Sequence, residues 1–337
     1  MDELEKVREL YGEPPADPLL ETRVRRRLET EFRRRRRLPW TVAVTGLAAA
    51  ATAVAIAFPG MTGETGPPDR ATEISGRSIL LTAATRAESD PATAHGYWRV
   101  RKLHRRTYPE PLGRGGNRYR VVESRLTEQW VAADGRMWAG SRTLGARPES
   151  PADTEAWRRD GSPTEWADRR LSTAPGKGLL NAVTGRAPFS MAGHEMGFGE
   201  IQGLPADPAA LKNRVAEVVR DVPAGSVDGV VADALSGLLW SKPSPPDVRA
   251  AAYRALAELP NVRYLGTTTD ERGRAGAAFS FTVRTTATVQ RTLIIDPASS
   301  RVLSSTDTGG PGTAGEEVEV VLEAGWTDDE PAAPELP

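Results

Sequence analysis

The feature of this sequence that most constrains its fold is an uncharged stretch of 21 residues, 38–58, that directly follows five arginines. A helix rises 1.5 Å per residue, so a helix of this length spans about 30 Å, the hydrocarbon thickness of a bilayer. Basic residues favour the cytoplasmic side of a membrane, and indole rings favour the headgroup level. We therefore expect residues 38–58 to form a single transmembrane helix with the N-terminus in the cytoplasm. The flanking residues that support this expectation are Arg33, Arg34, Arg35, Arg36, Arg37 and Trp40.

Two other interpretations of this segment stay open. A cleaved signal peptide would need a processing site near residues 55–57, but such peptides begin with a short basic region, and here 37 residues precede the apolar stretch. A buried helix of a globular domain seldom runs for so long without a polar face. The membrane anchor is the interpretation that we carry forward, and it places the later part of the chain outside the cytoplasm.

The anchor divides the chain into five segments. Residues 1–37 contain two short amphipathic patterns separated by the sequence GEPP, and two such helices cannot bury a core alone. We expect a cytoplasmic helical arm that lies on anionic lipid or binds a cytosolic protein. Residues 59–71 are rich in Gly, Pro and Thr, which is typical of a linker. Residues 72–325 are expected to form an exterior domain, and residues 326–337 an acidic, disordered tail.

The exterior domain changes its periodicity twice along its length. Apolar residues alternate with period two over 97–130 and again after residue 262, which predicts strands. Between these regions, Asp207 and Ser226 precede two of three helical patterns. The sequence Ala133-Asp134-Gly135-Arg136 predicts a type I′ hairpin turn. Strands, then helices, then strands predict an α+β fold with a curved antiparallel sheet packed on helices.

Composition and motifs exclude several kinds of chemistry. Lys and Arg total 44 against 45 Asp and Glu, so there is no overall basic field for nucleic acid. The absence of cysteine excludes disulfides, thiol catalysis and iron–sulfur clusters. His194-Glu195 begins like a zinc-protease motif, but Phe198 stands where the second histidine is required. We therefore expect no enzymatic activity, no cofactor and no metal.

The strongest candidate for a binding site is an apolar cavity between the predicted sheet and helices. Aromatic residues of the strands and the leucine stripe of the helix over 227–239 are expected to face each other, and a concave apolar site is where ligands most often bind. A core packed solid by the same residues is the alternative. The residues predicted to line the cavity are Trp98, Tyr119, Trp130, Leu235, Leu239, Phe279 and Phe281.

A family resemblance is carried by five segments of the chain: MDELEKVRELYGEPPADP, LPADPAALKNRV, PPDVRAAAYRALAELPNV, TDERGRAGAAF and LIIDPASSRVL. They resemble a family of uncharacterised actinobacterial single-span membrane proteins, and the resemblance covers nearly the whole chain. The exterior domain resembles the half-barrel of lipoprotein carrier proteins and of regulators of anti-sigma factors, which implies a sheet that wraps helices and can hold acyl chains. The layout of arm, span and exterior domain resembles membrane anti-sigma factors, but the histidine–cysteine zinc motif of the zinc-binding class is missing.

Two functions follow as expectations. In the first, the exterior domain senses or binds a ligand and residues 1–37 regulate a cytosolic partner such as a sigma factor. The alternative is an envelope carrier of a lipid or lipoprotein. A regulator requires the arm, whereas a carrier requires only the cavity.

Overall fold

A computed structural model describes residues 75–91, 96–219, 226–285, 287–309 and 316–336. The predicted arm, transmembrane helix and linker lie outside these residues, and so do the arginines and the tryptophan that flank the span. None of the helices in the described ranges is long and apolar enough to cross a membrane. The transmembrane helix has no support from the structure and stays a prediction.

The predicted α+β class is confirmed, and its main element is a nine-stranded antiparallel sheet. The order of strands across the sheet is β6-β3-β2-β1-β13-β12-β11-β10-β9. Two short hairpins, β4–β5 and β7–β8, lie outside it. The strands are β1 (Tyr97–Thr107), β2 (Val121–Ala132), β3 (Met137–Pro148), β4 (Glu165–Trp166), β5 (Leu171–Ser172), β6 (Leu179–Val183), β7 (Phe189–Met191), β8 (His194–Met196), β9 (Arg263–Thr269), β10 (Ala275–Arg284), β11 (Thr288–Asp296), β12 (Arg301–Thr308) and β13 (Glu317–Thr327).

The helices begin where the sequence provides caps. The Ser75 hydroxyl accepts a hydrogen bond from the Ser78 amide, and the Asp207 carboxylate accepts one from the Ala210 amide at 2.8 Å. These bonds satisfy amide groups that have no partner within the helix. The six α-helices of the described residues are α1 (Gly76–Glu88), α2 (Pro151–Arg159), α3 (Phe198–Gln202), α4 (Pro208–Val218), α5 (Val227–Gly237) and α6 (Pro246–Glu258).

Helices α1, α4, α5 and α6 pack on one face of the sheet and form the main core with it. In β1, Trp98 and Val100 point into this core, and alternation along a strand turns Arg99 and Arg101 to the opposite side. We call the face that packs on the helices the inner face and the opposite one the outer face.

The connection between β1 and β2 packs into a second, smaller cluster together with α2. Tyr119 is buried there, its hydroxyl donates to Asp160 at 3.1 Å, and the Trp166 indole N–H donates to the same hydroxyl at 3.1 Å. The cluster gives residues 148–171 a core of their own, in a region where the sequence has little periodicity.

The two hairpin turns at Gly135 and Gly273 are of one kind. A type I′ turn at 133–136, as predicted, requires a positive φ angle at both Asp134 and Gly135. Gly135 has φ +88°, but the φ angle of Asp134 is not positive, so the predicted turn type is wrong. The Gly135 amide donates to the Ala132 carbonyl at 2.9 Å. This pattern is that of a type I turn followed by a glycine bulge, and Gly273, with φ +74°, occupies the same place in the second turn.

Part of the segment predicted as a disordered tail contacts the sheet in the structure. Its first two residues, 326 and 327, belong to β13, and Pro334 and Glu335 contact residues of the outer face. Pro334 is buried, and its carbonyl accepts a hydrogen bond from Arg142 Nη1 at 3.4 Å. Composition alone favours disorder here, but arginines of the sheet bind the backbone of this segment, which composition does not reveal.

Candidate ligand-binding site

The structure divides the seven residues that were predicted to line an apolar cavity. Tyr119 belongs to the smaller cluster. Trp130 lies on the outer face, where the Arg99 guanidinium carbon is 4.5 Å from the centre of its ring. Its neighbour Val131 points into the main core, and alternation therefore turns Trp130 away from it. The seven side chains do not line one cavity, and those buried in the main core are Trp98, Leu235, Leu239, Phe279 and Phe281.

A polar cavity of about 280 Å³ lies on the inner face, beside the end of α5. Strands β1, β11, β12 and β13 form one wall, and α5 with the residues after it and the β7–β8 hairpin form the rest of the lining. The lining contains charged groups and hydroxyls, with one indole ring among them. Its polar and aromatic residues are Lys102, Ser190, Asp233, Ser236, Trp240, Ser241, Lys242, Arg291, Ser305 and Glu319.

Lys242 is the most unusual group in this lining. Its side chain is buried, and its ammonium nitrogen has one hydrogen-bond partner among the described residues, Ser241 Oγ at 3.4 Å. It forms no ion pair with a carboxylate in the part of the chain that the structure describes. Burial lowers the pKa of Lys242 to about 8, although the Asp233 carboxylate opposes this shift.

Gly237 provides the space that the Lys242 ammonium occupies. A Cβ atom at Gly237 would lie 2.7 Å from Lys242 Nζ, closer than any normal contact. Any side chain at this position of α5 would therefore displace the ammonium group. The position of the amine therefore depends on Gly237 of α5 as well as on Lys242 itself.

The neighbouring charges of the cavity neutralise one another. The Arg291 guanidinium binds Asp307 in a bidentate arrangement, with Nε–Oδ1 at 2.7 Å and Nη2–Oδ2 at 2.6 Å, and it also contacts Asp233. Burial raises the pKa of Asp233, and the Arg291 charge limits that rise. This cluster ties α5 to strands β11 and β12.

The strand side of the cavity holds a second set of paired charges. Lys102 Nζ lies 3.1 Å from Glu319 Oε2 and 4.9 Å from the centre of the Trp240 ring. His104 Nδ1 lies 3.3 Å from the other oxygen of Glu319. Burial lowers the pKa of His104, so the ring is neutral near pH 7 and Lys102 is the main cation at Glu319.

These contacts favour the binding of an anion over covalent chemistry. Lys102 and Arg291 already have carboxylate partners, so Lys242 is the cation in this lining that can gain one. The Ser241 hydroxyl donates to the Gly237 carbonyl at 2.7 Å. A backbone carbonyl cannot take up this proton as a base, so it does not activate the serine as a nucleophile. A buried cation is stabilised strongly by an anion that satisfies its remaining hydrogen bonds.

The sequence contains one signal that points to this cavity, and it was missed. The chain is rich in arginine and has only five lysines, two of which, Lys102 and Lys242, line the same cavity. In the segment SKPSPP, however, a lysine beside serines and prolines is typical of a surface loop. The burial of its amine depends on the contact between α5 and the sheet, which no local pattern reports.

Neither similarity to known proteins nor a cluster of metal ligands identifies a function for this chain. No protein-family model matches the chain, and no curated protein matches it. Within the described ranges, no group of three or more His, Cys, Asp or Glu side chains is placed to hold a metal ion.

Proposed function

We propose that this protein is a membrane-anchored binding or sensing protein, and that its folded domain binds a small anion, a carboxylate or a phosphate group, at Lys242. The observation that carries the proposal is a buried ammonium group without a carboxylate partner among the described residues, next to a cavity of about 280 Å³. A volume at the lower end of the range for ligand pockets suits a small molecule or the headgroup of a larger one.

The charge balance of the lining supports an anionic ligand. The carboxylates of Asp233 and Glu319 contact Arg291 and Lys102 respectively, which leaves the Lys242 charge to attract the ligand. Serine hydroxyls at positions 190 and 305 line the same space and can donate to ligand oxygens, whereas the Ser236 hydroxyl donates to the Asp233 carbonyl at 2.7 Å. Trp240 supplies a flat apolar surface at the edge of the cavity.

The lipid-carrier alternative is supported less well. The apolar side chains that would have surrounded an acyl chain are packed against one another in the main core, and Phe279 and Phe281 are each 2% exposed. The cavity that does exist is lined largely by polar groups. An amphipathic ligand would place its anionic end at Lys242.

Thermal unfolding of the full chain in detergent tests the proposal directly. Inorganic phosphate and sodium acetate are each expected to raise the melting temperature saturably, with sodium chloride used to keep the ionic strength constant. Lys242→Met should weaken this effect at least tenfold, because the cation is lost. Gly237→Ala should do the same while Lys242 is still present, since the new methyl group displaces the ammonium.

Lys177→Met is the matched control, because Lys177 is exposed and lies outside the cavity. Sodium decanoate separates the two functions. If decanoate stabilises the chain equally well with and without Lys242, and phosphate and acetate do nothing, the anion site is wrong and the carrier alternative is favoured. Equal responses of the wild type, Lys242→Met and Lys177→Met to phosphate and acetate would also contradict the proposal.

The membrane anchor and the cytosolic arm complete the proposal. An exterior domain that binds a small anion needs a route to the cytoplasm if the protein is a sensor, and residues 1–37 and 38–58 supply one. A sigma factor is the partner that the layout suggests. Co-purification of a sigma factor with the full chain, and its loss when residues 1–37 are deleted, would support this role. Retention of the same partner after the deletion would contradict it.

A further inference from the structure

The outer face of the sheet carries a row of side chains in register across four strands. Arg101 of β1 pairs with Glu128 of β2, Glu128 with Gly140 of β3, and Gly140 with Leu180 of β6. Paired residues of neighbouring strands lie on the same face. The row therefore runs at right angles to the strands, and it has no side chain at Gly140.

We call residues 328–336 the terminal segment, and its residues Pro334 and Glu335 contact this row at Gly140 and Arg101. Pro334 is buried over the gap in the row, and a Cβ atom at Gly140 would lie 2.9 Å from Pro334 Cδ. A Cβ atom at Gly178, beside the start of β6, would lie 2.5 Å from the Pro334 carbonyl oxygen. Two glycines thus form a seat that fits one proline ring and its carbonyl.

Two arginines on either side of the seat bind the backbone of the terminal segment. Arg101 Nη2 donates to the Glu335 carbonyl at 3.2 Å, and Arg142 Nη1 donates to the Pro334 carbonyl at 3.4 Å. Both arginine side chains are themselves held in place. Arg101 is bound to Glu128, and Arg142 Nε donates to the Gly176 carbonyl at 3.0 Å.

A buried carboxylate fixes the arginines of this surface before any peptide arrives. The Glu128 side chain is 2% exposed and lies 3.1 Å from Arg99 Nη2 and 3.1 Å from Arg101 Nε. Orienting the donors in advance lowers the side-chain entropy that the arginines lose when a peptide binds. The contacts to the terminal segment are made to its carbonyls and its proline, so they select an extended backbone with a proline at one position.

We propose that the outer face is a docking groove for extended, proline-containing peptide segments, and that the terminal segment occupies it in cis. Most of the terminal segment outside Pro334 is exposed, so few contacts hold it in the groove. A partner protein with an extended segment that carries a proline at the same position would replace it. The guanidinium groups of Arg99 and Arg101 already pair with Glu128 and Glu323, so the groove recognises the backbone and the proline of a segment, not its charge.

A peptide-binding experiment tests this proposal independently of the anion site. A fluorescent peptide with the sequence of residues 328–337 is added to the full chain and to a variant that ends at Thr327. The truncated variant is expected to bind the peptide saturably and at least tenfold more tightly than the full chain does. The same peptide with Pro334→Arg should not bind, because the seat between the two glycines cannot hold the longer side chain.

Two further variants show whether a change in peptide binding results from the groove or from misfolding. Pro334→Arg in the full chain should release the terminal segment without shortening the protein, and it should then bind the wild-type peptide as the truncated variant does. Gly140→Val in the truncated variant should abolish binding, since valine favours strands but fills the seat. The proposal is overturned if folded variants with a free groove, judged by circular dichroism, fail to bind the peptide. It is also overturned if the full chain binds the peptide as tightly as they do.

Discussion

Lys242 differs from the other described basic groups around the cavity because the fold gives it no carboxylate to pair with. A guanidinium group in its place would stay charged at any ordinary pH. A lysine amine can lose its proton when it is buried, and this one has a pKa of about 8. The choice of lysine at this position, in a chain dominated by arginine, therefore gives the cavity a charge that depends on pH.

The same shift predicts how stability depends on pH. The folded pKa of Lys242, about 8, lies below the unfolded value of 10.5, so between these pH values the unfolded chain holds a proton that the folded chain has lost. The free energy of unfolding should therefore rise with pH over this window, by up to about 3 kcal/mol. Urea titrations at pH 7, 8, 9 and 10 of wild type and Lys242→Met measure it. The rise should vanish in Lys242→Met and persist in Lys177→Met, and parallel curves for the wild type and Lys242→Met would show that the amine keeps its ordinary pKa.

At the scale of elements, the features that depend on adjacent residues could be predicted from the sequence. The start of α4 after Asp207 and the turn at Gly135 could be predicted, because caps and turns depend on adjacent residues. The pairing of β1 with β13 could not, since paired residues such as Tyr97 and Thr327 lie far apart in the chain. The same limit explains why Trp130 is predicted to line a cavity against the helices. Alternation shows that a strand has two faces, but it does not show which face meets the helices.

Helix α5 offers a test of how closely it packs on the sheet. A Cβ atom at Gly229 would lie 2.1 Å from the Thr282 carbonyl oxygen of β10, a backbone atom that cannot move aside easily. Gly229→Ala should therefore lower the free energy of unfolding by about 1–3 kcal/mol, as overpacked cores do. Gly237→Ala in the same helix is the matched control, because its methyl group meets only the end of a flexible lysine. Alanine favours helices by about 1 kcal/mol over glycine, so the control should be as stable as wild type or more so. Equal melting temperatures for the two variants would contradict the close contact between α5 and β10.

At the scale of the whole molecule, the sequence predicts on which side of a membrane the described domain would lie. The uncharged stretch at 38–58 and the arginines before it predict that this domain lies outside the cytoplasm. A reporter enzyme that is active only outside the cytoplasm, fused after Pro337, should be active, and the fusion should stay in the membrane fraction at full mass. A soluble product that begins near residue 57 would instead show that the stretch is a cleaved signal peptide.

The position of β13 in the middle of the sheet has a consequence for how the protein is made. Strands β1, β2, β3 and β6 come from the first part of the described chain and β9 to β12 from a later part, and β13 lies between β1 and β12. Until the ribosome has delivered residues 317–327, each half of the sheet ends in an unpaired strand, and such edges attract strands of other chains. A chain that stops short of β13 is therefore expected to aggregate, and the two halves of the sheet join only after residues 317–327 have been synthesised.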